Sequence, residues 1–393
     1  MTSKMMLTLG TQRSAIREIA AWGAKRKQEI GPENVLDFSL GNPNVPAPDE
    51  VAEAILSIVQ DSSPVSYNSY TASPGADDVR GIIADNLNRR FGTDYTAKNL
   101  YLTAGAAAAL CIALSALVSS DKDEVIVFAP YFPEYKVFIE ARGATMKVIP
   151  ARPDFSMHPE DLEEAINENT AAVLINSPNN PSGFVYDEKT IHMLSDMLRK
   201  KSREFGRPIR IVSDEPYREL AYDVKVPFLP NYYDDTLVCY SWSKSLSLPG
   251  ERIGYVLVPD KVTAADEMIA AIAGSGRALG YVCAPSLFQK VIGRCIDVMP
   301  DLRIYATNRE KLIAGLEKAG YEFARPDGAF YFFIKSPFPG GGQEFHERAK
   351  KEDLLVVPGA SFGAPDYVRL SYCTTTEAIE RALPILQKLM DEK

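Results

Sequence analysis

Between about Tyr101 and Val258 the chain alternates short runs rich in β-branched residues with longer stretches whose apolar residues fall three and four apart. The first pattern marks strands and the second marks amphipathic helices, so this region reads as βα units around a parallel sheet. Its strands are predicted at Glu124–Phe128, Ala172–Ile175, Arg210–Ser213, Leu237–Tyr240 and Gly254–Val258, with helices such as Pro159–Asn167 and Glu188–Arg203 between them. After Pro285 a long helical pattern runs to about Gly320, and then strand-like Gly328–Ile334, Leu354–Val357 and Tyr367–Tyr372 alternate with helices. This change of rhythm predicts an α/β large domain over 46–285 and a smaller α+β domain made of 1–45 and 286–393. Breaks fall at Gly41–Pro48, Pro178–Gly183 and Pro337–Gly342, the third having the look of a plain surface loop.

Composition narrows the function classes. In 393 residues, 43 Lys and Arg stand against 52 Asp and Glu, a net charge of −9 with no basic run, which argues against a nucleic-acid partner. The most apolar stretch, Ala104–Val118, is shorter than the roughly 20 residues a membrane span needs, so no membrane partner is expected. Met1–Ala20 is polar and charged throughout, and neither a signal nor a transit peptide is expected there. Five cysteines without a C-x-x-C pair suit a reducing, cytoplasmic setting. His158, His192 and His346 are far apart, so no metal site and no Ser-His-Asp triad is expected.

Four segments carry candidate chemistry. In Ser241-Trp-Ser243-Lys244, a lysine directly follows a buried strand, where an ammonium is costly to desolvate. A lone lysine there usually keeps its head in water, but Arg252 eight residues on is a cation able to favour the neutral amine that a Schiff base requires. Asp214 ends a strand expected inside the sheet, where a ligand crevice lies beyond the carboxyl ends; an N-cap of a following helix is the alternative. Pro178-Asn-Asn180-Pro-Ser-Gly183 also follows a strand and is otherwise a turn. Gly105-Ala106-Ala107 opens a helix whose free N–H groups can receive a phosphate.

Taken in their order along the chain, the glycine-led helix, N-N-P-S-G, D-x-x-Y and S-x-S-K-x-x-x-x-x-G-x-R-x-G resemble the fold-type I pyridoxal-5′-phosphate (PLP) enzymes, most closely the class I/II aminotransferases. The resemblance covers nearly the whole chain. It implies a mostly parallel seven-stranded sheet flanked by helices, with a smaller α+β domain. Lys244 would hold the cofactor covalently and later shuttle a proton, Asp214 would keep the ring nitrogen protonated, and Asn180 and Tyr217 would bond its phenolic oxygen. Gly105, Ala106, Ala107, Ser241 and Arg252 would bind the phosphate, Ser243 would contact the cofactor, and Phe132 would stack on the ring, core packing being its alternative. Ala106 and Ala107 stand where many relatives carry polar side chains, which leaves the phosphate to backbone N–H groups, Ser241 and Arg252.

Arg369 lies mid-strand in Tyr367-Val-Arg369-Leu-Ser-Tyr372 and would grip the α-carboxylate of an amino acid or 2-oxo acid substrate, with Gly41 approaching the same group. Tyr70 matches a tyrosine that reaches the phosphate of the partner subunit, which implies a homodimer with active sites at the interface. Arg277 lies near the place of a cross-subunit arginine of aspartate-type enzymes, one residue out of register, and is otherwise a surface residue. The segment before Asn34 is expected to close over bound substrate. Transamination is the leading function, of aspartate/glutamate type or broad specificity, and a PLP-dependent C–S lyase or decarboxylase is the alternative. Gly274-Ser-Gly276 lacks the third glycine of a nicotinamide fingerprint.

Overall fold

The computed structural model describes residues 2–11 and 15–393. Seven strands form one sheet: β2 (Leu100–Thr103), β3 (Glu124–Phe128), β4 (Thr145–Ile149), β5 (Thr170–Asn176), β6 (Arg210–Asp214), β7 (Thr236–Ser241) and β8 (Gly254–Leu257), in the order β2-β8-β7-β6-β5-β3-β4. Only β8 runs against its neighbours β2 and β7; the other pairings are parallel. Every residue of β5 and β7 is buried, which is why these segments are continuous apolar runs with no alternation.

Helices cover both faces of the sheet. Gly105–Leu117 is apolar all round because it lies between the sheet and helix Ala265–Ala278. Close packing there accounts for Gly276, where a Cβ would come within 2.2 Å of the Tyr101 hydroxyl. On the other face Glu188–Phe205 buries Ile191, Leu194 and Leu198; Asp187 caps its start through Thr190 N, and Gly206 ends it in the left-handed conformation.

The C-terminal third builds a second core around β9 (Tyr331–Lys335), β11 (Val357–Pro358) and β12 (Tyr367–Ser371), an antiparallel sheet in the order β11-β12-β9. The N-terminal strand β1 (Leu36–Asp37) pairs in parallel with β10 (Leu354–Leu355), and Ser371 N donates to Phe38 O, so residues 36–41 are laid alongside β12. The long helical pattern after Pro285 is two helices, Ser286–Arg294 and Arg303–Ala319. The first packs on Asp49–Asp61 and Asp77–Phe91, sharing one core with Val51, Ile58 and Ile83. We propose on that ground that the two domains meet near Pro300 and not at Pro285. The Pro337–Gly342 break is no plain surface loop: Gly341 and Gly342 are buried at the start of helix Gly341–Lys351, where a Cβ on Gly342 would sit 2.0 Å from Tyr367 O.

Candidate active site

The carboxyl ends of β5, β6 and β7 open into a cavity of about 300 Å³, closed on the far side by Tyr331 and Arg369 of the antiparallel sheet. Lys244, Asp214, Asn180, Tyr217, Ser241, Ser243, Arg252, Arg369, Gly41, Ala106, Ala107 and Phe132 all line it. Gly105 is one residue behind, at the helix start. Tyr70 is elsewhere: it is 95 % exposed and no part of the cavity of its own chain. Arg277 is also apart, exposed in the last turn of helix Ala265–Ala278.

Lys244 sits in the turn after β7 with its Nζ 2.6 Å from Gly41 O, not in solvent. Burial pushes its pKa down to about 8; Arg369 and then Arg252 add to that, against an opposing effect of Cys373. Asp214 is no helix cap, since turns follow it. Its Oδ2 accepts from the Tyr135 hydroxyl at 2.5 Å while Oδ1, also buried, has no partner among the described residues. Burial raises this carboxyl to about 7 even though the Tyr135 hydrogen bond pulls the other way.

Arg369 is 2 % exposed. Its Nη1 donates to Asn180 Oδ1 and its Nη2 to Ser39 O, while Nε has no partner among the described residues. Both of those partners are neutral, no carboxylate pairs with it among the described residues, and burial lowers its pKa. A buried guanidinium without an anion is a costly arrangement that an incoming carboxylate relieves.

At the helix start, Gly105 has φ +80° and a Cβ there would lie 2.7 Å from Arg252 Nη2, so glycine is what lets the guanidinium approach the free N–H groups. Ser241 and Ser243 share a 2.6 Å hydrogen bond beside it.

Three contributors escaped the sequence reading. Asn176 bonds Asp214 O through Nδ2 and Asn180 N through Oδ1, tying the two segments together. Tyr135 holds Asp214, and Tyr331 pairs its hydroxyl with that of Tyr217 at 2.9 Å. Asn176 as the last residue of a buried strand was a readable signal; the tyrosines had none, being one apolar residue among many.

A family model described as aminotransferase class I and II matches residues 33–386. The chain belongs to this family. It is a transaminase, moving an amino group between an amino acid and a 2-oxo acid, within a family that works with PLP. The crystal structure of an amino transferase from Eubacterium rectale matches with a TM-score of 0.97 at 52 % identity, covering 100 % of this chain and 98 % of that one. Aspartate aminotransferase from Thermus thermophilus with maleate matches at 0.87 and 26 % identity, over 99 % of each chain. A Thermotoga maritima protein named aspartate aminotransferase is 30 % identical over 369 residues, 92 % of this chain and 93 % of its own. No helix among the described residues is long and apolar enough to cross a membrane.

Proposed function

We propose that this aminotransferase holds PLP on Lys244 and takes the substrate α-carboxylate on Arg369, with aspartate among its amino donors. The observation that carries the reading is the pairing of a lysine of lowered proton affinity with a buried carboxylate whose Oδ1 lacks a partner, in one cavity. The residues suit the cofactor: Asp214 Oδ1 offers an acceptor for a protonated ring nitrogen, and Arg252, Ser241 and the start of helix Gly105–Leu117 offer donors to a dianion. The aspartate part rests on relatives bearing that name.

When bound, PLP supplies an electron sink for the pair left at the substrate Cα. The protein's own part is positional. Arg369 would orient the α-carboxylate, Tyr217 would donate toward the phenolic oxygen, and Asp214, fixed in place by the Tyr135 hydroxyl, would hold a proton at the ring nitrogen, whose charge favours the ionised carboxylate. Lys244, steadied by Gly41 O, would take the proton from Cα and deliver it to the carbon that carried the cofactor's aldehyde, the shift of one proton that amino exchange requires.

A second copy of the chain is expected to complete the site. Val65, Tyr70, Tyr281 and Val282 are exposed, and Ser286 Oγ to Ser69 O, together with Cys283 Sγ to Thr71 O, makes their two segments one apolar patch. A reducing, cytoplasmic location fits the five unpaired cysteines.

Borohydride reduction of the purified protein followed by peptide mapping should place the label on Lys244. Amino exchange should then depend on an added 2-oxo acid. Label elsewhere, or release of pyruvate, thiol or carbon dioxide without an acceptor, would overturn the reading.

A further inference from the structure

Tyr331 stands between the two halves of the site. It opens β9, is buried, and pairs its hydroxyl with that of Tyr217 at 2.9 Å. The Arg369 guanidinium lies over its ring, 4.7 Å from the centroid, and its hydroxyl occupies the space before Gly41, where a Cβ would come within 1.9 Å of it.

We propose that Tyr331 is a positioning residue linking occupancy of the Arg369 carboxylate site to the donor strength of the Tyr217 hydroxyl. The proposal rests on the reading of Lys244 and Arg369 given above. A cation over a phenol ring draws charge from it and makes its hydroxyl a better donor. Tyr331 then donates to Tyr217, which frees the Tyr217 proton to point into the cavity and strengthens that bond, because hydrogen bonds in a chain polarise one another. A carboxylate arriving on Arg369 neutralises the cation and weakens the series. Substrate binding is thereby felt at Lys244, whose Nζ is 6.0 Å from the Tyr217 ring, with no movement of the backbone.

The test follows the pH titration of the holoenzyme's visible absorbance, with and without saturating maleate or 3-phenylpropionate. Donation to the phenolic oxygen favours its anionic form, so its loss raises the midpoint. Tyr331→Phe should shift the midpoint upward by about 0.4–1 pH unit, the worth of one neutral hydrogen bond. It should also at least halve the upward shift that the carboxylate produces in the wild type. Tyr217→Phe should shift the midpoint the same way, and adding Tyr331→Phe to it should change nothing further, as for two residues acting in series. A wild-type midpoint unmoved by carboxylate overturns the proposal. So does a Tyr331→Phe enzyme that melts lower yet titrates as the wild type, or a double variant whose shifts add. If the wild type has no visible band at all, it is the assignment of Lys244 that fails.

Discussion

At Asp214 the cost of burial is written in one unpartnered oxygen, and its sign can be worked out. The folded pKa of about 7 lies above the unfolded value of ~3.9, so between those values the native state keeps a proton that the unfolded chain has released. This residue therefore lowers stability progressively from about pH 4 to 7, and a cation at Oδ1 removes the penalty. Protein stripped of cofactor should lose on the order of a few kcal/mol from pH 5 to pH 8 relative to Asp214→Asn. Added PLP should raise Tm more at pH 8 than at pH 5. Denaturant titrations at the two pH values check this, and equal pH slopes in wild type and Asp214→Asn would refute it. Removing the Tyr135 hydroxyl leaves both carboxylate oxygens bare, so Tyr135→Phe should weaken PLP binding roughly tenfold in equilibrium dialysis. Lys244 bears on rate: capture of PLP by stripped protein should be half-maximal near pH 8, where an unperturbed lysine would require about 10.5.

At the scale of elements, the site depends on where a strand or helix ends. Arg252 has φ +52°, in the left-handed region that costs a residue with a side chain about 1–2 kcal/mol. That conformation carries its guanidinium to the first turn of Gly105–Leu117. Arg252→Gly relieves the backbone and removes the cation, so stability and binding should move in opposite directions. The Tm of stripped protein should hold or rise, while the Kd for PLP rises by about 10- to 150-fold, as expected for a charge-assisted hydrogen bond of 1.5–3 kcal/mol. Calorimetry and fluorescence titration read the two; a variant that loses stability and keeps its affinity would show that Arg252 serves the fold.

For the whole molecule, the question is whether one chain holds a complete site. Tyr70 lies outside its own cavity, so a mixing experiment decides. On the proposal that two copies complete each site, the Lys244→Ala and Tyr70→Ala proteins should each be severely impaired. Subunit exchange between them should restore up to one working site in each hybrid, since the Tyr70→Ala subunit keeps its lysine and receives an intact tyrosine from its neighbour. Assays before and after mixing read this directly, and no recovery would place Tyr70 outside the reaction. Charge in the patch, as in Val282→Asp, should shift the sedimentation profile toward monomer.

Much of this molecule was legible before any fold was known, because its information is local. Strand periodicity follows from burial on the two faces of a sheet, and the lysine, the strand-end aspartate and the glycine-led helix are each a few residues long. Their order along the chain carried the family resemblance. Tertiary structure alone decided the rest. Tyr135 meets Asp214 from 79 residues away, and Tyr331 meets Tyr217 across 114. Nothing in either tyrosine's neighbourhood in the chain marks it as more than core. The packing of helix Ser286–Arg294 against Asp49–Asp61 and Asp77–Phe91 was hidden for a similar reason: helical rhythm reports which face of a helix is apolar, while the surface that covers that face is chosen only when the chain packs.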